Sequence, residues 1–136
     1  MTIHYLKTDP YAWDLVASGQ KTYELRLNDR GFSAGATLIL DRTEYTSMEM
    51  RAGAPLIYST RGVECTVSHV LNGPVYGLQS GWCILSIQLV RLHVLPHWEK
   101  YKSAWFSGRD FTERMLTAAR IECWKEYFKE LEGEQK

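Results

Sequence analysis

The decapeptide Gly19-Gln20-Lys21-Thr22-Tyr23-Glu24-Leu25-Arg26-Leu27-Asn28 alternates in character with a period of two, which predicts a β-strand. Tyr23, Leu25 and Leu27 share one face, and Thr22, Glu24, Arg26 and Asn28 share the other. A surface strand alternates in the same way, but four polar functions in a row, headed by a lysine, make a concentrated polar face. Glu24 and Arg26 stand two apart on it, close enough for the guanidinium to hold the carboxylate ionised and oriented. Lys21 has the opposite parity. In a flat strand its ammonium points away from Glu24. The two meet only if the chain bends after Gly19 or the lysine stem curls over the strand end.

Working upstream, residues 3–7 predict a short strand and residues 10–18 a helix. Asp9 stands at the N-cap, Pro10 at the first helical position and Gly19 past the end, and Trp13, Val16 and Ala17 supply an apolar stripe. A lysine just past such a helix also suits the free carbonyls at its end, so helix capping is an alternative role for Lys21. Downstream, residues 29–35 predict a glycine-containing turn and residues 36–41 (ATLILD) a strand buried on both sides. Residues 42–60 read as a long loop or short hairpin, a length that near a site is often functional. Residues 62–71 and 82–92 are apolar strands, separated by turns at Asn72-Gly73-Pro74 and 77–81. The pattern predicts an α+β chain: a small mixed β-barrel of five or six strands over residues 1–92, with one early helix.

Residues 93–136 differ in kind. Pro96 opens a short helix bearing Trp98, Tyr101 and Trp105, and Gly108 breaks it. Asp110 and Glu113 suggest a capping box for a long amphipathic helix. Its stripe of Thr117, Ile121, Trp124, Phe128 and Leu131, spaced four, three, four, three, calls for a partner surface. Either the barrel or a second copy of the chain, as a homodimer, would supply one.

Charge narrows the partners. Sixteen Lys and Arg balance sixteen Asp and Glu, and residues 1–92 hold eight of each sign. Proteins that bind long polyanions carry a basic excess, because counterion release drives their affinity. A small molecule is therefore favoured over a long polynucleotide. No apolar run reaches the roughly 20 residues of a membrane span, and the first residues lack the apolar core of a secretion signal, so cytoplasmic residence is expected. Cys65, Cys83 and Cys123 form no CxxC pair and predict neither a disulfide framework nor a closed zinc site. His93 and His97 lie four apart, but Pro96 intervenes and no third ligand is near, so no metal and no cofactor are expected. Phosphate-binding glycine loops, GxSxG and HExxH are absent.

What remains is Lys21, Thr22, Glu24 and Arg26. Gly19-x-Lys21-x-x-Glu24-x-Arg26 resembles the GxKxxExR signature of ASCH domains, which have a PUA-like small β-barrel fold. The likeness extends to small phage and bacterial ASCH proteins through His4-Tyr5-Leu6-Lys7, through Asn28-Asp29-Arg30-Gly31-Phe32, and through Tyr76-Gly77-Leu78-Gln79-Ser80-Gly81-Trp82-Cys83-Ile84-Leu85. It covers roughly residues 3–90, with an insertion at 42–60, and leaves 93–136 as an extension.

The resemblance implies one of two functions. ASCH domains are proposed RNA-binding modules, with the signature groove as the cleft. Certain small bacterial members instead hydrolyse the amide of N4-acetylcytidine with a lysine, a threonine and a glutamate. Lys21 matches their lysine, Glu24 stands where they have threonine, and their later glutamate has no counterpart here. The resulting expectation is an amidohydrolase for N4-acylated cytosine or cytidine. Glu24 acts as general base on water, and Lys21 serves the oxyanion or the departing amine. Thr22 is the fallback nucleophile, Arg26 orients Glu24 or binds a pyrimidine carbonyl, and Asn28 reads a base edge. The competing readings are an RNA-binding module, a self-associating interaction protein, and a purely structural Lys-Glu-Arg network stiffening a barrel mouth.

Overall fold

A computed structural model describes residues 2–134. The chain divides into two compact units, Met1–His93 and Val94–Lys136. The first holds a mixed sheet of β1 (Ile3–Thr8), β2 (Tyr23–Leu27), β3 (Thr37–Thr43), β4 (Tyr58–Asn72) and β5 (Trp82–Val94), with helices α1 (Pro10–Ala17) and α2 (Ser47–Arg51). Strand order is β1-β3-β4-β5-β2, with β1 parallel to β3, β3 antiparallel to β4, and β2 antiparallel to β5. The sheet curls into a half-barrel, giving the expected α+β arrangement with an early helix and a helical C-terminal region.

This topology has one consequence for the site. The first two strands in sequence, β1 and β2, are the two edges of the sheet. Curling brings those edges together, so that side chains far from neighbouring in the ladder face one cavity.

The core is built by alternation. Leu38 and Leu40 of β3, Val63, Cys65 and Val67 of β4, and Cys83, Leu85 and Ile87 of β5 point inward. Trp13 and Val16 of α1 close over them, and the Trp13 indole N–H donates to the Leu40 carbonyl at 2.9 Å. Ile39, between the two inward leucines, is also fully buried, so β3 is covered on both faces as its unbroken apolar run predicts.

Three expectations need correction. Residues 42–60 are not one long loop. Arg42 and Thr43 extend β3 past an irregularity in its pairing, α2 occupies Ser47–Arg51, and β4 begins at Tyr58. The helix is nucleated by a capping box in which the Thr46 hydroxyl accepts from the Glu49 N–H and the Glu49 carboxylate accepts from the Thr46 N–H. Asp9 stands at the N-cap of α1 but makes no capping bond there. Its carboxylate instead accepts from the Ser47 N–H at 3.0 Å and hydroxyl at 3.3 Å, tying α2 to the start of α1.

The third correction concerns the second unit, which holds α3 (Trp98–Phe106) and α4 (Glu113–Glu134). Thr112, not Asp110, caps α4, accepting from the Met115 N–H at 3.2 Å. The buried line of α4 is Leu116, Ala119, Arg120, Cys123 and Trp124. Of the expected stripe only Trp124 is fully buried, and Thr117, Ile121, Phe128 and Leu131 are half-buried. The line is displaced because Arg120, fully buried, stacks its guanidinium over the rings of Trp98 at 4.9 Å and Trp124 at 5.4 Å.

Candidate functional site

The site forms where α1 hands the chain to β2. Gly19 adopts φ +83°, a conformation that costs an L side chain but not glycine. The reversal lets the Lys21 N–H return to the Leu15 carbonyl at 3.0 Å, which anchors the lysine backbone to the helix end. Lys21 therefore precedes β2, and strand parity does not govern its side chain. Its Nζ reaches Glu24 Oε1 at 2.7 Å. The bend after Gly19, one of the two conditions for convergence, is met.

In β2 the faces share as the alternation predicts, and the structure decides which one is interior. Glu24 is only 3% exposed, while Tyr23, Leu25 and Leu27 are each about half exposed. The strand is thus amphipathic in reverse, with its charged face turned into the half-barrel. A carboxylate so far from water needs compensation. Lys21 supplies it on Oε1, and the Arg26 Nε–H donates to Oε2 at 3.1 Å. One buried carboxylate is held between two cations, with both oxygens oriented.

Arg26 continues across the gap to the opposite edge strand. Its Nη2 donates to the Lys7 carbonyl at 3.0 Å and to the Thr8 hydroxyl at 3.2 Å. Thr8 in turn donates to the Leu6 carbonyl, and the Thr43 hydroxyl donates to the Thr8 and Tyr45 carbonyls. Farther along the same edge, Arg30 Nη1 donates to the Tyr5 carbonyl at 2.8 Å. The open edge of β1 is therefore bridged to the β2 side by two arginine side chains where no backbone ladder runs.

Beside this network lies a cavity of about 520 Å³, within the range that small-molecule sites occupy. Lys21, Glu24 and Arg26 line it together with Leu6, Lys7, Thr8, Asp9, Arg30, Phe32, Thr43 and Trp82, and α2 adds Ser47 and Met50. Two expected site residues lie elsewhere. Thr22 is exposed and is not among the residues that line the cavity, and its backbone carbonyl accepts from the Ile87 N–H. Asn28 is spent on the fold. One amide N–H donates to Asn72 Oδ1 at 2.8 Å and its Oδ1 accepts from the Phe32 N–H at 3.0 Å, and Asn28 is not among the residues that line the cavity.

Burial, then the Arg30 charge, lowers the pKa of His4, whose ring packs edge-on against Phe32 at 4.9 Å. Burial, then the Asp29 charge, raises that of the Cys83 thiol. Burial, reinforced by the Glu24 and Glu64 carboxylates, pushes the Cys65 thiol up to about 12, leaving it inert as a nucleophile. Cys65, Cys83 and Cys123 are all buried, and none is in a disulfide among the described residues. His93 meets Glu64 at 2.8 Å, and among the described residues no group of three or more His, Cys, Asp or Glu side chains could hold a metal ion.

Sequence reasoning missed Thr8, Arg30 and the α2 wall. The Thr46-x-x-Glu49 box was a readable sign of α2. For Thr8 and Arg30 no local signal existed, because their place depends on the sheet bringing β1 to β2.

Residues 3–87 match a family described as a domain of unknown function (DUF3850), and the chain belongs to that family. No curated protein matches the chain. The match spans every residue of the Lys21–Glu24–Arg26 network and all of the cavity wall.

Proposed function

We propose that this member of the DUF3850 family is an amidohydrolase that removes the acyl group from an N4-acylated cytosine or cytidine. One observation carries the reading: a buried carboxylate and an ammonium 2.7 Å apart on the wall of a nucleoside-sized cavity. The resemblance of Gly19-x-Lys21-x-x-Glu24-x-Arg26 to the ASCH signature, some of whose bearers cleave this amide with a lysine, adds support.

The chemistry runs through water. Each Glu24 oxygen accepts one bond from a cation and keeps acceptor capacity for a water. Glu24 takes a proton from that water as its oxygen attacks the acyl carbon, opening the carbonyl π bond onto oxygen. Lys21, with two further N–H donors, stabilises the oxyanion. The intermediate collapses, the C–N bond breaks, and the proton held by Glu24 passes to the departing N4 amine. The products are a carboxylic acid and the free cytosine amine. Arg26 positions Glu24, and Thr8 holds Arg26. Cytoplasmic residence, where nucleosides are abundant and thiols stay reduced, belongs to the same proposal.

Purified protein incubated with N4-acetylcytidine should release cytidine and acetate. Glu24→Gln and Lys21→Ala should each lower kcat by at least about a hundredfold, with folding verified by thermal melting. No turnover by the wild-type protein across a panel of acylated cytosines and cytidines would overturn the reading.

A further inference from the structure

We infer that the cavity takes a phosphorylated substrate, its phosphate monoester held between Arg26 and Arg30 along the free edge of β1, with Lys7 at the rim. The inference rests on the reading of this cavity as the cytidine site and narrows its substrate from nucleoside to nucleotide.

The spacing of the two guanidiniums carries it. Arg30 is fixed on the Tyr5 carbonyl and Arg26 on the Lys7 carbonyl. Carbonyls two residues apart on one strand point the same way and lie about 7 Å apart. β1 pairs with β3 on its other side, so both carbonyls face the gap between the edge strands. Two guanidiniums thus stand side by side, anchored before any ligand arrives. A tetrahedral oxyanion, with oxygens in several directions, can bridge them, whereas a planar carboxylate saturates one fork.

Donors remain for it. A guanidinium has five N–H groups. Arg26 commits its Nε and Nη2 to Glu24, Lys7 and Thr8, which leaves Nη1, and Arg30 commits only Nη1, to Tyr5, among the described residues. The charge balance agrees. The cavity is lined by Lys7, Lys21, Arg26 and Arg30 against Asp9, Glu24 and Asp29. Glu24 is compensated by its two partners, and Asp9 is turned to Ser47. Four cations against three carboxylates leave the cavity wall with one positive charge in excess.

The test is equilibrium binding by calorimetry of unacylated ligands, which needs no turnover. Cytidine 5′-monophosphate should bind at least about tenfold more tightly than cytidine, and inorganic phosphate should compete with it. Arg30→Ala and, separately, Lys7→Ala, whose exposed side chain makes no bond the fold needs, should each cut that preference severalfold while melting as cooperatively as the wild type. Equal affinity for nucleotide and nucleoside, or a preference untouched by both substitutions, would overturn the inference even if N4-acetylcytidine is cleaved. A short oligoribonucleotide bound more tightly than the monophosphate, with a steep salt slope, would overturn it in favour of a phosphodiester chain. Nucleotide preference without amide cleavage would leave the phosphate site standing and remove the hydrolase.

Discussion

Glu24 sits in the interior with both oxygens on cations, and its field reaches the thiol of Cys65. That neighbour yields a residue-scale prediction. Cys65 is fully buried on β4, and its pKa rises from an ordinary value near 9 to about 12 in the fold. In the unfolded chain the thiol ionises first, so the unfolded state is the one that releases its proton above pH 9. Stability from the neutral buried thiol is therefore complete below about pH 9 and is lost as pH climbs toward 12. Urea denaturation across that window should show a steep alkaline decline, and Cys65→Val should flatten it. In the native protein at neutral pH, Cys65 should resist alkylation for as long as the fold persists. A thiol modified as fast as in the denatured chain would contradict this assignment.

Helix α1 and strand β2 operate as one device through the five residues between them, Ser18 to Thr22. Nothing lies within 4 Å of a Cβ built on Gly19, so space does not forbid a side chain there. The backbone does, at φ +83°. Gly19→Ala should cost about 1–2 kcal/mol in urea denaturation. It should lower kcat further than that loss of stability explains, because the turn that returns the Lys21 N–H to Leu15 also aims its ammonium at Glu24. Loss of stability with kcat unchanged would show that Lys21 reaches Glu24 without the bend. Helix α2 belongs to the same scale. Five residues cannot hold a helix alone, and this one persists through its capping box and the Asp9–Ser47 bonds that set Ser47 and Met50 against the cavity.

For the molecule as a whole, net charge is zero, and the cavity wall carries four cations, Lys7, Lys21, Arg26 and Arg30, against three carboxylates, Asp9, Glu24 and Asp29. A protein that depended on a long polyanion would lose orders of magnitude in affinity as salt rises. Turnover of an uncharged acylated nucleoside should instead change by no more than about twofold between low and physiological salt. A steep fall would count against the nucleoside reading, because an uncharged ligand releases no counterions on binding. No helix among the described residues is long and apolar enough to cross a membrane.

The Lys21–Glu24–Arg26 cluster was legible because its members lie within six residues of one another, where helix punctuation and strand parity are local facts. The same rules marked the five strands, α1 and the two-faced burial of β3. Thr22 and Asn28 show the limit. Parity puts them on the same face as Glu24, but only tertiary structure decides that Thr22 lies outside the cavity and that Asn28 is consumed by Asn72 and Phe32. The inward turn of the charged face of β2 was equally undecided, since alternation specifies two faces and not which one is buried. Sequence alone determined which residues share an element and a face, because those relations depend on backbone geometry over a few residues. The curl of the sheet decided the rest. It set edge strand β1 beside edge strand β2 and so brought Thr8, Arg26 and Arg30 to one wall, a proximity set by strand order and absent from any local pattern.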